Sequence, residues 1–133
     1  MADIPFSLHM KVRDYECDMQ GIVNNAIYQH YLEHARHEYL LSRGFSFPDL
    51  TARGIILVVV RAEIDYRRSL RAGDEFAVTV KPVRPSPVKL VFQQSILHGP
   101  QQTLMLNAQI TTTAINERNR PYFPEELARL LES

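Results

Sequence analysis

Apolar and polar positions alternate through residues 6–13, with Phe6, Leu8, Met10 and Val12 on one side. This period of two predicts a half-buried strand. Residues 15–23 break the pattern with two acids and Gly21, and read as a loop. From Asn24-Asn25 the period lengthens. Tyr28, Tyr31, Leu32, Ala35 and Tyr39 recur at i, i+3, i+4, i+7 and i+11, an amphipathic stripe. Asn suits the opening of this helix because its side chain accepts a hydrogen bond from an unpaired helical N–H. Gly44 suits its end. The helix is expected to run about 17 residues, or roughly 25 Å.

Strand patterns dominate from Gly54 onward. Residues 55–66 are rich in β-branched side chains, 75–83 alternate through Phe76, Val78 and Val80, and 88–97 and 103–115 complete the set. Turns are expected at 72–74, 85–87 and 98–100. Residues 121–131 read as a short C-terminal helix, with Pro124-Glu125-Glu126 suited to a first turn. The order is strand, long helix, four strands joined by tight turns, small helix. Consecutive hairpins imply an antiparallel sheet with the long helix across one face, an α+β layer. No repeat or low-complexity tract divides residues 1–133, so a single domain is expected. One helix covers one face only, which leaves the other face or an edge to water or a partner chain.

Composition narrows the function classes. The 133 residues are 45% hydrophobic and 23% charged, with 15 basic and 15 acidic side chains and a formal net charge of zero. A generic nucleic-acid binder would be basic, and an acidic disordered chain is excluded as well. The longest apolar run, residues 54–60, falls far short of the ~20 residues of a membrane span. Residues 1–5 lack the basic start of a secretory leader, so none is expected. Cys17 is the lone cysteine and cannot form an internal disulfide, which points to a reducing cytoplasm.

The segment from Glu16 through Asp18, Gly21, Val23, Asn24 and Asn25 to Tyr28 carries the most chemistry. Gly21 allows a positive φ or a close backbone approach to a ligand. A helix N-terminus offers free N–H groups and a partial positive charge, which suit an anion or a developing oxyanion. A carboxylate just upstream can act as general base on water or as nucleophile. Together these groups suit acyl transfer. The same residues also fit a plainer role, with Asp18 or Asn24 capping the helix and Gly21 making the turn.

Val12-Arg13-Asp14-Tyr15-Glu16-Cys17-Asp18-Met19-Gln20-Gly21-Ile22-Val23-Asn24-Asn25-Ala26-Ile27-Tyr28, continued by Tyr31-Leu32-Glu33-His34-Ala35-Arg36, resembles the signature of hotdog-fold thioesterases of the 4-hydroxybenzoyl-CoA type. The Asn-Asn-Ala version is similar to acyl-acyl-carrier-protein thioesterases of plants and their bacterial relatives. The resemblance implies a hotdog fold, a long helix wrapped by an antiparallel sheet. It implies hydrolysis of an acyl- or aroyl-coenzyme A thioester, or of one on a carrier protein, with no metal or redox cofactor. The family's catalytic carboxylate falls on Asp18 and its loop glycine on Gly21. The oxyanion and substrate-binding positions fall on Val23, Asn24, Asn25 and Tyr28, with the Asn25 N–H as donor. Glu16 stands where the family often has Asp, and Asn24-Asn25 where an aromatic residue or His is common. These differences argue against an aryl pocket for 4-hydroxybenzoyl-CoA. Members of the fold form dimers, often paired into tetramers, with the site at the subunit boundary, so a homo-oligomer is expected.

Other signals weigh less. His30-Tyr31-Leu32-Glu33-His34 matches an inverted zinc-protease pattern, but it lies opposite the apolar stripe and has no downstream third ligand. It reads as a polar or interface face, and no metal is expected. Cys17 has no histidine beside it in sequence to act as base. Residues 76–116 contain no acid, while Lys81, Arg84 and Lys89 fall among them. Arg84 and Lys89 are therefore candidates for coenzyme A phosphates, as well as ordinary surface cations. Arg61, Arg67, Arg68 and Arg71 alternate with Glu63, Asp65, Asp74 and Glu75, which predicts ion pairs along a solvated edge. Two alternatives to hydrolysis stay open: a non-catalytic acyl-thioester binder or regulator, which would need no Asp18, and a dehydratase, which would need a histidine base in the pocket.

Overall fold

The computed structural model describes residues 6–131. The leader reading rests on residues 1–5 and lies outside them. Strand β1 is Phe6–Lys11, helix α1 Asn25–Ser42, helix α2 Phe47–Ala52, and strands β2 to β6 are Ile56–Tyr66, Glu75–Ser86, Lys89–His98, Thr103–Ile115 and Pro121–Tyr122. A 3-10 turn, Asp14–Glu16, precedes α1, and a 3-10 helix, Glu125–Leu131, ends the described chain.

The sheet is antiparallel in the order β1-β3-β4-β5-β2, with β6 on β5. Two of the expected hairpins form, β3–β4 and β4–β5. The turn at 72–74 does not join neighbours. The chain leaves β2 at one edge and re-enters as β3 beside β1, so this connection crosses the sheet. β3 also runs through Pro85 to Ser86, where a break was expected, because a register shift after Val83 absorbs the prolines.

Helix α1 lies on one sheet face and buries the predicted stripe: Tyr28, Tyr31, Leu32, Ala35 and Tyr39, with Leu40. Tyr31 meets Phe76 of β3 at 4.8 Å between ring centroids, and Tyr39 meets Phe92 of β4 at 6.4 Å. Gln94 is buried yet fully engaged. Its Nε2 donates to the Leu32 carbonyl at 3.0 Å, and its Oε1 accepts from Arg36 at 3.0 Å. Burial lowers the pKa of that Arg36.

Asn24 caps α1 by accepting from Ala26 N–H, and Gly44, at φ = +88°, follows its end. The expected C-terminal helix is divided: residues 121–122 pair with β5, and the rest is 3-10 rather than α. Its Leu127 and Leu130 plug the core beneath Tyr39, whose hydroxyl donates to the Leu130 carbonyl at 3.2 Å. Helix α2 was not anticipated, although Ser46 caps it and Pro48 sits in its first turn. Among the described residues, no helix is long and apolar enough to cross a membrane.

Candidate active site

The Asp18 loop connects the 3-10 turn to α1 and is closed by its own backbone. Asp18 N–H donates to the Ile22 carbonyl at 2.9 Å, and Gly21 N–H donates to the Asp18 carbonyl at 3.0 Å. Gly21 makes the turn at φ = +80°, a left-handed conformation that side chains resist. Cys17 pairs with Val23, and Ile22 with Arg71, as single β-bridges. Asn24 N–H donates to the Glu16 carbonyl at 3.2 Å, so the loop ends where the helix cap begins.

The Asp18 carboxylate is exposed. Its Oδ1 accepts from Gln20 N–H at 2.9 Å and from Ile22 N–H at 3.4 Å. These contacts fix the carboxylate on the loop and leave Oδ2 without a bond among the described residues. Asn24 and Asn25 are also exposed, and the Asn25 N–H makes no hydrogen bond within the described residues. A carboxylate oxygen and a first-turn helix donor, neither bonded among the described residues, thus sit on exposed residues of one closed loop and of the helix that follows it.

Val23 and Tyr28, expected at substrate-binding positions, are both buried at 2% exposure. Val23 N–H donates to the Leu70 carbonyl, and the Tyr28 hydroxyl accepts from Leu70 N–H at 2.9 Å. Both hold the 70s segment against the helix start. Burial raises the Tyr28 pKa. Arg84 and Lys89 flank the β3–β4 hairpin, whereas Val12 and Asp74 join the Asp18 side to the start of β3. The nine-residue step along β3 from Glu75 to Arg84 places the two regions roughly 30 Å apart. Arg84 stacks on the Phe123 ring at 3.7 Å and donates to the Pro87 carbonyl.

The ion pairs expected along the charged edge reduce to Arg61–Glu63 at 3.4 Å. Arg67, Arg68 and Arg71 make no ion pair among the described residues, because that stretch leaves the sheet as the crossover. The helix face carrying His30 and Glu33 does not simply point away. With Ala26, Gln29 and Arg36, these residues rim a cleft of about 380 Å³ floored by Leu32, Val59, Ala62 and Ile110. The cleft starts one residue beyond Asn25. His37 sits on the Phe47 ring of α2 at 4.3 Å. Among the described residues no three His, Cys, Asp or Glu side chains could hold a metal ion.

Sequence reasoning missed the part played by Glu16. This carboxylate is 8% exposed. Its Oε1 accepts from the Tyr31 hydroxyl and from Arg13 N–H, each at 2.8 Å. Two signals were available: an acid two residues before Asp18, and a tyrosine on the buried stripe one turn into the helix.

A long helix embraced by one antiparallel sheet, with a carboxylate loop feeding its N-terminus, is the hotdog fold of the thioesterase type. Residues 12–131 match the model of the thioesterase-like superfamily, and the chain belongs to that family. It is 35% identical over 114 residues to the chloroplastic acyl-acyl carrier protein thioesterase ATL2 of Arabidopsis thaliana, covering 86% of this chain and 61% of that relative. It is 34% identical over 107 residues to the long-chain acyl-CoA thioesterase FadM of Escherichia coli, covering 80% of each. The crystal structure of YbaW, a probable thioesterase from Escherichia coli, superposes with a TM-score of 0.83 at 31% identity, covering 95% of this chain and 96% of that one. The chain spans about three-fifths of the length of the plant relatives it matches.

Proposed function

We propose that this protein hydrolyses acyl thioesters of coenzyme A or of an acyl carrier protein, with Asp18 as the reacting carboxylate. The observation that carries this is the pairing of a loop-anchored Asp18 with the unbonded Asn25 N–H at the start of α1. The thioester carbonyl oxygen lies at the helix N-terminus, where a first-turn donor and the helix dipole stabilise developing negative charge. Asp18 Oδ2 then acts in one of two ways. As general base it takes a proton from water while the water oxygen adds to the carbonyl carbon. As nucleophile it adds directly, giving an anhydride that water cleaves. In both, collapse of the tetrahedral oxyanion breaks the C–S bond. The thiolate leaves and is protonated, and no redox step is involved.

Gly21 and Asn24 shape the approach to this point, while Val23 and Tyr28 support it from beneath. The cleft beside Ala26 has an apolar floor suited to an acyl chain. Its wall is β2, a free sheet edge with Ile56, Val59, Val60 and Tyr66 each about half exposed. A second copy paired along β2 covers these side chains and closes the cleft, so the working unit is a homodimer or a pair of dimers. Antiparallel pairing at β2 also returns the partner's β3–β4 hairpin, with its Arg84 and Lys89, to the Asp18 end of the sheet. There the two cations can meet the phosphates of the substrate. The lone Cys17 fits a reducing compartment such as the cytoplasm.

The test is free-thiol release from palmitoyl-, octanoyl- and benzoyl-coenzyme A and from octanoyl carrier protein. Turnover of an aliphatic ester, with benzoyl-coenzyme A slower, is expected. Saturable binding without release of thiol from any of them contradicts hydrolysis and favours the binding protein.

A further inference from the structure

The mechanism above uses Asp18 and leaves unexplained a second carboxylate, two residues upstream, that is almost completely buried. Burying a carboxylate is costly unless several donors meet it. Glu16 has them. The Tyr31 hydroxyl and Arg13 N–H both donate to Oε1 at 2.8 Å, and Arg13 Nη1 stands 3.9 Å from Oε2. Its backbone is committed too, with N–H donating to the Arg13 carbonyl at 3.0 Å and carbonyl accepting from Asn24 N–H at 3.2 Å. One residue therefore touches the exit of β1, the second turn of α1 and the cap of α1. Asp18 lies inside the loop that this bracket closes, two residues past Glu16, and Asn25 follows its last residue.

We infer that Glu16 and Tyr31 are positioning residues that set the distance between the Asp18 carboxylate and the Asn25 N–H, and that they act on turnover rather than on substrate affinity. This inference rests on the role assigned to Asp18. Tyr31 is suited to the task. Its ring is locked against Tyr28 and Phe76, and burial, with the hydrogen bond to Glu16 next, raises its pKa, so the hydroxyl stays a donor. An alanine at 16 would leave the Tyr31 hydroxyl and Arg13 N–H without a partner, and the loop would lose its fixed tie to the helix. Shifts of ~1 Å at a reacting group cost about 100-fold in rate. A glutamine at 16 keeps an acceptor oxygen for both donors, while it removes the charge and sets an NH2 where Oε2 stood beside Arg13.

The experiment compares kcat and KM for Glu16→Ala, Glu16→Gln, Tyr31→Phe and Asp18→Asn on the fastest thioester of the panel, with thermal unfolding of each variant. Turnover is expected to drop about 100-fold in Glu16→Ala and roughly 10-fold in Tyr31→Phe. KM should stay within about two-fold, and Glu16→Gln should recover most of the loss. Tyr31→Phe keeps the core ring and carries the test if Glu16→Ala does not fold. Wild-type kcat in Glu16→Ala and Tyr31→Phe, beside an inactive Asp18→Asn, overturns the inference and leaves the site standing. Glutamine as damaging as alanine also overturns it, because charge rather than position would then be at stake. Wild-type activity in Asp18→Asn overturns the site and this inference with it.

Discussion

Gly21 holds φ = +80° between Asp18 and the helix cap, and a Cβ built there meets nothing within 4 Å. The cost of a side chain at this position is therefore conformational, about 1–2 kcal/mol for a left-handed alanine. Gly21→Ala is expected to lower the unfolding temperature by several degrees and to reduce kcat, because the turn carries the N–H groups that hold Asp18. An unchanged kcat would mean that the loop does not position the carboxylate. Asp18, Gly21 and Asn24 were legible in the sequence because their signals are local: an acid, a glycine and a cap at fixed offsets. Tyr28 is legible as a buried residue from its place on the stripe, but its tie to Leu70, some forty residues away, leaves no local signal. The acid at 16 and the tyrosine at 31 are each visible in the sequence, but their contact depends on the entry angle of α1, which no residue spacing encodes.

At the scale of elements, α1 was the most readable part, since a stripe of five apolar positions can bury only one way on a sheet. The strands were legible from alternation, but their order was not. β2 reaches β5, and β3 reaches β1, through a crossover that leaves no mark on the hydrophobic pattern. Helix α2 had a cap and a proline but only six residues, too few to show a period. Its contact with α1 has a measurable consequence. Burial against this contact lowers the His37 pKa below its ordinary value near 6.5. Arg36 and His34 act in the same sense, and Glu33 and Glu38 oppose it. The folded state then binds fewer protons than the unfolded state as pH drops through about 6.5. Stability is accordingly lost on the acid side and present above it. The unfolding temperature should fall between about pH 7 and pH 5, and should fall less in His37→Gln. Identical slopes in the two proteins would show that His37 does not contribute.

For the whole molecule, the sheet has one face filled by α1 and one polar face, lined across its middle by Thr79, Lys81, Gln93, Ser95, Asn107 and Gln109. That polar face needs no cover. The β2 edge does, and the bulge between Val59 and Arg61 turns two valines outward there. An aspartate at Val60 places a charge on each side of the proposed β2 seam, and like charges across an interface cost several kcal/mol. Val60→Asp is expected to weaken the dimer by about 100-fold, read by sedimentation or light scattering over a concentration series. Activity should fall with the proposed dimer, in which the partner would close the cleft. A monomeric wild type with full activity would contradict the shared site. The two edges were foreseeable from the element count, but which edge is apolar followed only from the strand order.

The measurement that bears most directly on the role of Asp18 is the turnover of Asp18→Asn on the best thioester, taken alongside its unfolding temperature. Asparagine keeps an oxygen to accept from Gln20 and Ile22 but can neither take a proton from water nor attack a carbonyl carbon. Turnover is expected to fall by about 100-fold or more, on the order of the contribution of general acid–base groups, with the unfolding temperature unchanged. Wild-type turnover in the folded variant would contradict a reacting carboxylate at this position.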